Sequence, residues 1–296
     1  MTYDALARLV GLVGGGGVVV LSGAGLSTES GIPDYRGATG AARRATPMTY
    51  QAFTADPASR RRYWARSHLG WRVIAGAQPN AGHHAVADLQ LAGLVTGVVT
   101  QNVDGLHQSA GAPVVVELHG GLDRVVCLRC DERSPRERLD ARLRAANPSW
   151  DVASAAELTA RKPDGDLDLD DRLVDGFVVV DCLVCGGQLK PDVVFFGETV
   201  PRERVEHCFA LIQQASALLV LGSSLKVMSG YRFVLRAAKL GIPVAIVNQG
   251  PTRGEDHAKV RVDAPLGDVL PALVRSLATT EDAMQGARQA PVEALC

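Results

Sequence analysis

Short aliphatic runs recur along this chain, each closed by small polar residues and each separated from the next by a helical pattern. They are Val18 to Leu21 before Ser22-Gly23, Leu94 to Val99 before Thr100-Gln101-Asn102, and Val114 to Leu118 before His119-Gly120. Ala217 to Leu221 before Gly222-Ser223-Ser224 and Val244 to Val247 before Asn248-Gln249-Gly250 repeat the pattern. Strands buried on both faces read as continuous apolar runs, and strands that alternate with helices pair in parallel. The expected fold is therefore α/β, a Rossmann-like doubly wound parallel sheet with ligands bound along the strand ends.

The first strand end is the most informative. Gly23-Ala24-Gly25 lets backbone N–H groups approach a pyrophosphate, yet the dinucleotide fingerprint wants a third glycine or alanine where Thr28 stands. A tight turn after a buried strand explains the glycines equally well. Asp34, Tyr35 and Arg36, directly after Pro33, are too polar for core and point to a ligand.

Composition sets outer bounds. With 296 residues, 47% hydrophobic and 21% charged, the chain is long enough for a large core. A net charge of -1 gives no bulk attraction to nucleic acid or anionic membrane. Residues 3 to 13 carry apolar positions at helical spacing, and Gly14 to Gly17 end that segment before the about 18 apolar residues of a membrane span accumulate. A cytoplasmic protein is the expectation.

Four of the six cysteines fall as Cys127-x-x-Cys130 and Cys182-x-x-Cys185, the pattern of one tetrahedral structural Zn2+. The insert between the pairs contains Asp164 to Asp171, but an EF-hand needs glycine where Leu169 stands, so a polar surface loop is expected. Arginines around the first pair interleave with acids, which favours a solvated face over a nucleic-acid surface. Residues 38 to 78 read as a helical lid, glycine-rich at first and then carrying Phe53, Tyr63, Trp64 and Trp71 as packing residues. Asn80 is an N-cap candidate, with His83 structural. Asn102 and Asp104 sit where open sheets bind ligands, although an Asx turn would also explain them. His119 reads as either a turn residue or a general base.

In combination these residues resemble the sirtuins, NAD-dependent protein deacylases. The resemblance rests on Gly23-Ala24-Gly25-x-Ser27-x-x-Ser30-Gly31-Ile32-Pro33-Asp34-Tyr35-Arg36, Thr100-Gln101-Asn102-x-Asp104-x-Leu106-His107, His119-Gly120, both cysteine pairs, Gly222-Ser223-Ser224-Leu225 and Asn248. Leu189 to Val200, Ser229-Gly230-Tyr231-Arg232-Phe233 and Gly250 to Arg253 look most like the class II branch. The Tyr-x-x-Arg pair of members that remove acidic acyl groups is absent, since Gly40 to Arg44 holds no tyrosine.

The resemblance implies NAD across the strand ends. Gly23, Ala24, Gly25 and Ser27 would meet the pyrophosphate side, and Gly222, Ser223, Ser224, Asn248, Gln249 and Leu266 the adenosine half. Ile32, Pro33, Asp34, Tyr35, Arg36, Gln101, Asn102 and Asp104 would surround the nicotinamide and its ribose. Asn102 and His119 would be catalytic, His119 as general base on the ribose hydroxyls while the acyl group passes from lysine to ADP-ribose. Acylated-lysine proteins are the implied partners, a peptide pairing against Val194 to Gly197. The implied layout is residues 1–122 and 191–277 for the Rossmann-like domain, 123–190 for the zinc module and 278–296 as a mobile tail. Mono-ADP-ribosyl transfer and a non-catalytic NAD-binding module are the other readings. The residues leave the acyl group, the protein targets and the oligomeric state open.

Overall fold

The computed structural model describes residues 3–35, 47–150 and 174–289. Arg36, the first part of the expected lid, the Asp164 to Asp171 run and residues 290–296 lie outside them.

Six strands form a parallel sheet in the order β3-β2-β1-β7-β8-β9. They are β1 (Val18–Ser22), β2 (Val95–Thr100), β3 (Val115–Glu117), β7 (Ala217–Leu221), β8 (Val244–Val247) and β9 (Ala258–Val262). All five residues of β1 are buried, as a central strand requires. Its side chains alternate between the faces: Val18 and Val20 pack with α1 (Tyr3–Val13), α4 (Ala81–Leu91) and α9 (Leu266–Gln289). Val19 and Leu21 pack instead with α7 (Arg202–Gln213) and α8 (Met228–Lys239). Continuous apolar runs therefore served two cores at once.

The chain leaves β1 for β2 on one side, while β7 pairs with β1 on the other, Val20 standing level with both Val98 and Leu219. That reversal of strand order opens a crevice at the C-terminal strand ends. Two 3₁₀ turns, Ala24–Leu26 and Thr28–Ser30, carry the chain out of β1 across it.

A second, antiparallel sheet has the order β5-β4-β6, from β4 (Gly120–Cys127), β5 (Arg133–Pro135) and β6 (Leu189–Val193). Gly120 turns into it at φ +81°, and a Cβ there would lie 1.9 Å from the Asp192 carbonyl oxygen, so only glycine fits. The sheet shares its core with α2 (Tyr50–Ala55), α3 (Pro57–Gly76) and α6 (Arg136–Ala146): Phe53, Tyr63, Trp64, Val125, Leu139 and Phe195 belong to one buried cluster. The aromatics expected to pack do so, and the helices and the cysteine sheet make one unit.

Helix α6 begins only at Arg136 because Arg133–Pro135 pairs with β4. Helix α7 ends at Gln213, four residues before β7, and α8 opens at Met228. Strand β9 was not anticipated, since Lys259 and Arg261 interrupt its apolar pattern at an exposed edge. Helix α9 passes Ala278 and reaches Gln289, with buried Leu273 and Leu277 anchoring its middle.

Candidate active site

A cleft of about 890 Å³ runs along the strand ends, between the large sheet and the small unit. Of the residues expected to bind or react, Gly23, Ala24, Gly25, Ser27, Ile32, Asp34, Tyr35, Gln101, Asn102, Asp104, His119, Gly222, Ser223, Ser224, Asn248, Gln249 and Leu266 all line it. Pro33 is buried and does not face the cleft, and Arg36 is outside the described residues.

The glycines after β1 have a different duty from the one expected. Gly23 N–H donates to the Leu221 carbonyl and Gly25 N–H to the Gly222 carbonyl, at 2.9 and 2.8 Å. Neither amide is thus free for a pyrophosphate. A Cβ on Gly23 would meet Ser223 Cβ at 2.8 Å, and one on Gly25 the Gly222 oxygen at 2.9 Å. The glycines let two loops close on each other, and Gly222 answers with φ +61°.

At the centre, Asn102 Nδ2 donates to the Gly23 carbonyl and to Ser27 Oγ. Ser27 Oγ in turn donates to Asp104 Oδ2 at 2.7 Å, and Leu106 N–H donates to Asp104 Oδ1. Burial raises the Asp104 pKa, and these two hydrogen bonds oppose that shift. The result is a polar pocket fixed by both the β1 and the β2 loops.

Beneath it, around the short helix α5 (Leu106–Ser109), lies a chain of contacts that the sequence reading missed. His107 Nε2–H donates to Ser22 Oγ at 2.8 Å, since the Ser22 hydroxyl is itself donated to Thr100 Oγ1 at 2.9 Å. Thr100 Oγ1 also accepts the Asn102 backbone N–H, which anchors that residue from below. The His107 ring meets His83 edge to face at 5.2 Å. His83 completes a capping box with Asn80, whose Nδ2 donates to the Leu26 carbonyl and Ser30 Oγ. The expected structural role of His83 and the Asn80 cap are both present. His107 was legible as part of a motif, but only the fold shows its partner.

His119 closes the deep end. Its Nδ1 lies 2.9 Å from the Gln101 carbonyl, which can only accept, so Nδ1 carries the proton. Nε2 is left as a lone pair toward the cleft, 2.8 Å from Ser229 Oγ. Burial lowers the His119 pKa, and nearby Arg204 and Arg232 add to the effect against the Gln101 bond. A neutral imidazole with its lone pair on the cleft-facing nitrogen is what a general base requires.

The edge expected to receive a peptide is partly used within the chain. Beyond β6, Val194 N–H donates to the His119 carbonyl, while Tyr50 N–H takes the Phe196 carbonyl and Thr49 bridges Phe196 in parallel. Glu198 holds the bend, accepting from Phe195 N–H and from Lys190 Nζ.

The four cysteine sulfurs lie within 4.8 Å of one another, Cys127 to Cys185 at 3.4 Å and Cys130 to Cys182 at 3.9 Å. Four Zn–S bonds of 2.3 Å imply sulfur separations of about 3.8 Å, so the donor set fits tetrahedral zinc with no open position.

Comparisons with known proteins agree with this geometry. The Sir2 family profile matches residues 23–229. A protein of Streptomyces coelicolor named NAD-dependent protein deacetylase 1 is 62% identical over 265 residues, covering 90% of this chain and 87% of that protein. An NAD-dependent protein deacetylase of Xanthomonas campestris pv. campestris is 52% identical over 251 residues, covering 85% and 84%. A solved Sir2 structure with a p53 peptide and NAD+ is 28% identical with a TM-score of 0.73, covering 93% of this chain and 99% of that one. With that profile spanning most of its length, and these deacetylase relatives 52% and 62% identical over at least 85% of it, this chain belongs to the Sir2 family, the sirtuins.

Proposed function

We propose that this chain removes acyl groups from protein lysine side chains with NAD as consumed co-substrate, giving nicotinamide, O-acyl-ADP-ribose and free lysine. The observation that carries the reading is His119, held neutral with its Nε2 lone pair facing the cleft that Asn102, Asp104 and Ser27 share. The deacetylase names of the relatives favour it over ADP-ribosyl transfer to protein or a binding module without catalysis.

The chemistry that NAD supplies when bound is a ribose carbon able to accept the acyl oxygen once nicotinamide leaves. Asn102, Asp104 and Ile32 would hold the nicotinamide end, with Tyr35 closing over the ribose. Ala24, whose N–H heads the first 3₁₀ turn, replaces its glycine neighbours as the amide offered to phosphate. Gly222, Ser223, Ser224, Asn248, Gln249 and Leu266 would receive the adenosine half. His119 would take a ribose-hydroxyl proton at Nε2, and the acyl-lysine would enter past residues 193–200. Four thiolates would hold zinc as a structural ion.

The functional division follows as residues 1–122 and 191–277 for the cofactor sheet and 123–190 for the zinc module. A cytoplasmic setting belongs to the same reading, and no described helix is long and apolar enough to cross a membrane.

The test is purified protein with acetyl-, succinyl-, lipoyl- and long-chain acyl-lysine peptides, with and without NAD, read by mass spectrometry for O-acyl-ADP-ribose. At least one peptide should react only with NAD, and His119→Ala should lower that rate about 10²- to 10⁴-fold. Full activity of His119→Ala, or modified protein in place of O-acyl-ADP-ribose, would overturn the reading.

A further inference from the structure

The contact between His119 and Ser229 is not explained by any role given so far. Ser229 lies in the first turn of α8 and lines the cleft, and its Oγ is 2.8 Å from Nε2 of His119. The opposite nitrogen is held by the Gln101 carbonyl, so the ring is gripped at both ends. The grip is tight because of Gly230. A Cβ there would lie 2.4 Å from Gln101 Oε1, so the absence of a side chain lets α8 press against the residue that fixes His119. Gln101 Nε2 reaches on to the Ser22 carbonyl and Ser223 Oγ, which ties this arrangement to the ends of β1 and β7.

We propose that Ser229 is a positioning residue for the His119 base, acting in both of its protonation states. This rests on the assignment of His119 as general base. A hydroxyl is suited to the task because it is donor and acceptor at once. In the resting enzyme Ser229 O–H donates to the Nε2 lone pair and keeps the ring plane aimed into the cleft. When a ribose hydroxyl arrives, it takes over that lone pair and the serine hydroxyl rotates away. The proton then passes from the ribose oxygen to Nε2, and Ser229 Oγ accepts the new Nε2–H, which opposes its return. No proton is gained or lost by the serine. An acidic side chain here would stabilise the charged ring before substrate arrived, and an aliphatic one would offer nothing in either state.

The experiment is a double-mutant cycle on the full chain with the best acyl peptide, following O-acyl-ADP-ribose formation and, separately, exchange of labelled nicotinamide into NAD. Exchange reports cleavage of the nicotinamide bond, which precedes the base-dependent step. Ser229→Ala should form product roughly 2- to 10-fold more slowly, the range set by one neutral hydrogen bond, with exchange and the KM for NAD unchanged. Ser229→Thr, which keeps the hydroxyl, should restore the rate. In a His119→Ala background Ser229→Ala should have no further effect, because it acts through the absent ring. The proposal is overturned if Ser229→Ala matches wild type, if exchange falls in parallel, or if its loss is the same in both backgrounds. A His119→Ala variant as active as wild type would instead sink the base assignment itself.

Discussion

Single residues at the strand ends show how close approach, rather than ligand contact, selects an amino acid. Gly222 sits at φ +61°, and a Cβ on it would lie 2.4 Å from the Leu26 amide nitrogen. An L-residue in that region costs about 1–2 kcal/mol before any displacement of the Ala24–Leu26 turn. Gly222→Ala should therefore lower the unfolding free energy, read from urea denaturation, by at least that amount and weaken NAD affinity roughly tenfold or more in an equilibrium titration. A variant with wild-type affinity would show that the turn can move without harm to the cleft. The glycine pattern itself was visible in the sequence. Its reason was not, because the carbonyls that take the Gly23 and Gly25 amides belong to residues almost two hundred positions away.

At the level of elements, the cysteine sheet and α3 depend on each other. Trp64 Nε1 donates to the Leu189 carbonyl, and the buried Arg136 guanidinium lies 5.3 Å from the Trp64 ring and 5.5 Å from Trp71. His68 on α3 meets Asp140 of α6 at 2.6 Å, and Arg144 reaches the other oxygen of the same carboxylate. Zinc closure of the four thiols should thus support the helices as well as the sheet. Cys127→Ser, or chelation of the metal, should remove zinc and destabilise this unit by several kcal/mol, because structural zinc binds with about 10 kcal/mol or more. Elemental analysis together with limited proteolysis checks this: cuts should concentrate in residues 120–193 and α3. One zinc per chain retained in Cys127→Ser would refute the four-thiol site. The Cys-x-x-Cys pairs were legible from spacing alone. That aromatics of α3 form the other half of the same core was not, since they lie in a separate stretch of chain.

Across the whole molecule, acid sensitivity concentrates under the cofactor cleft. Burial, with some repulsion from His107 and His84, lowers His83 to about 3, and burial lowers His107 to about 4. Both are neutral in the fold, yet each takes up a proton near pH 6.5 when unfolded. The unfolded chain therefore binds more protons as pH drops from 6.5 to about 4, and stability falls over that window by up to about 1.4 kcal/mol per pH unit for each histidine. Urea midpoints at pH 7, 6 and 5 should decline accordingly. His107→Gln, which can still donate to Ser22, should make the slope shallower while the lowered His83 and His119 keep the rest; an unchanged slope would mean that other groups carry the acid response. What the sequence determined by itself is whatever depends on local pattern: the parallel sheet from its apolar runs, the thiol centre from its spacing, and the residues gathered at the strand ends from their place after each run. Only the tertiary structure decided how those residues are used, because hydrogen-bond direction depends on partners remote in the chain. Gly23 and Gly25 turn their amides inward, His107 grips Ser22, and Ser229 meets His119 across the cleft, none of which any local pattern encodes.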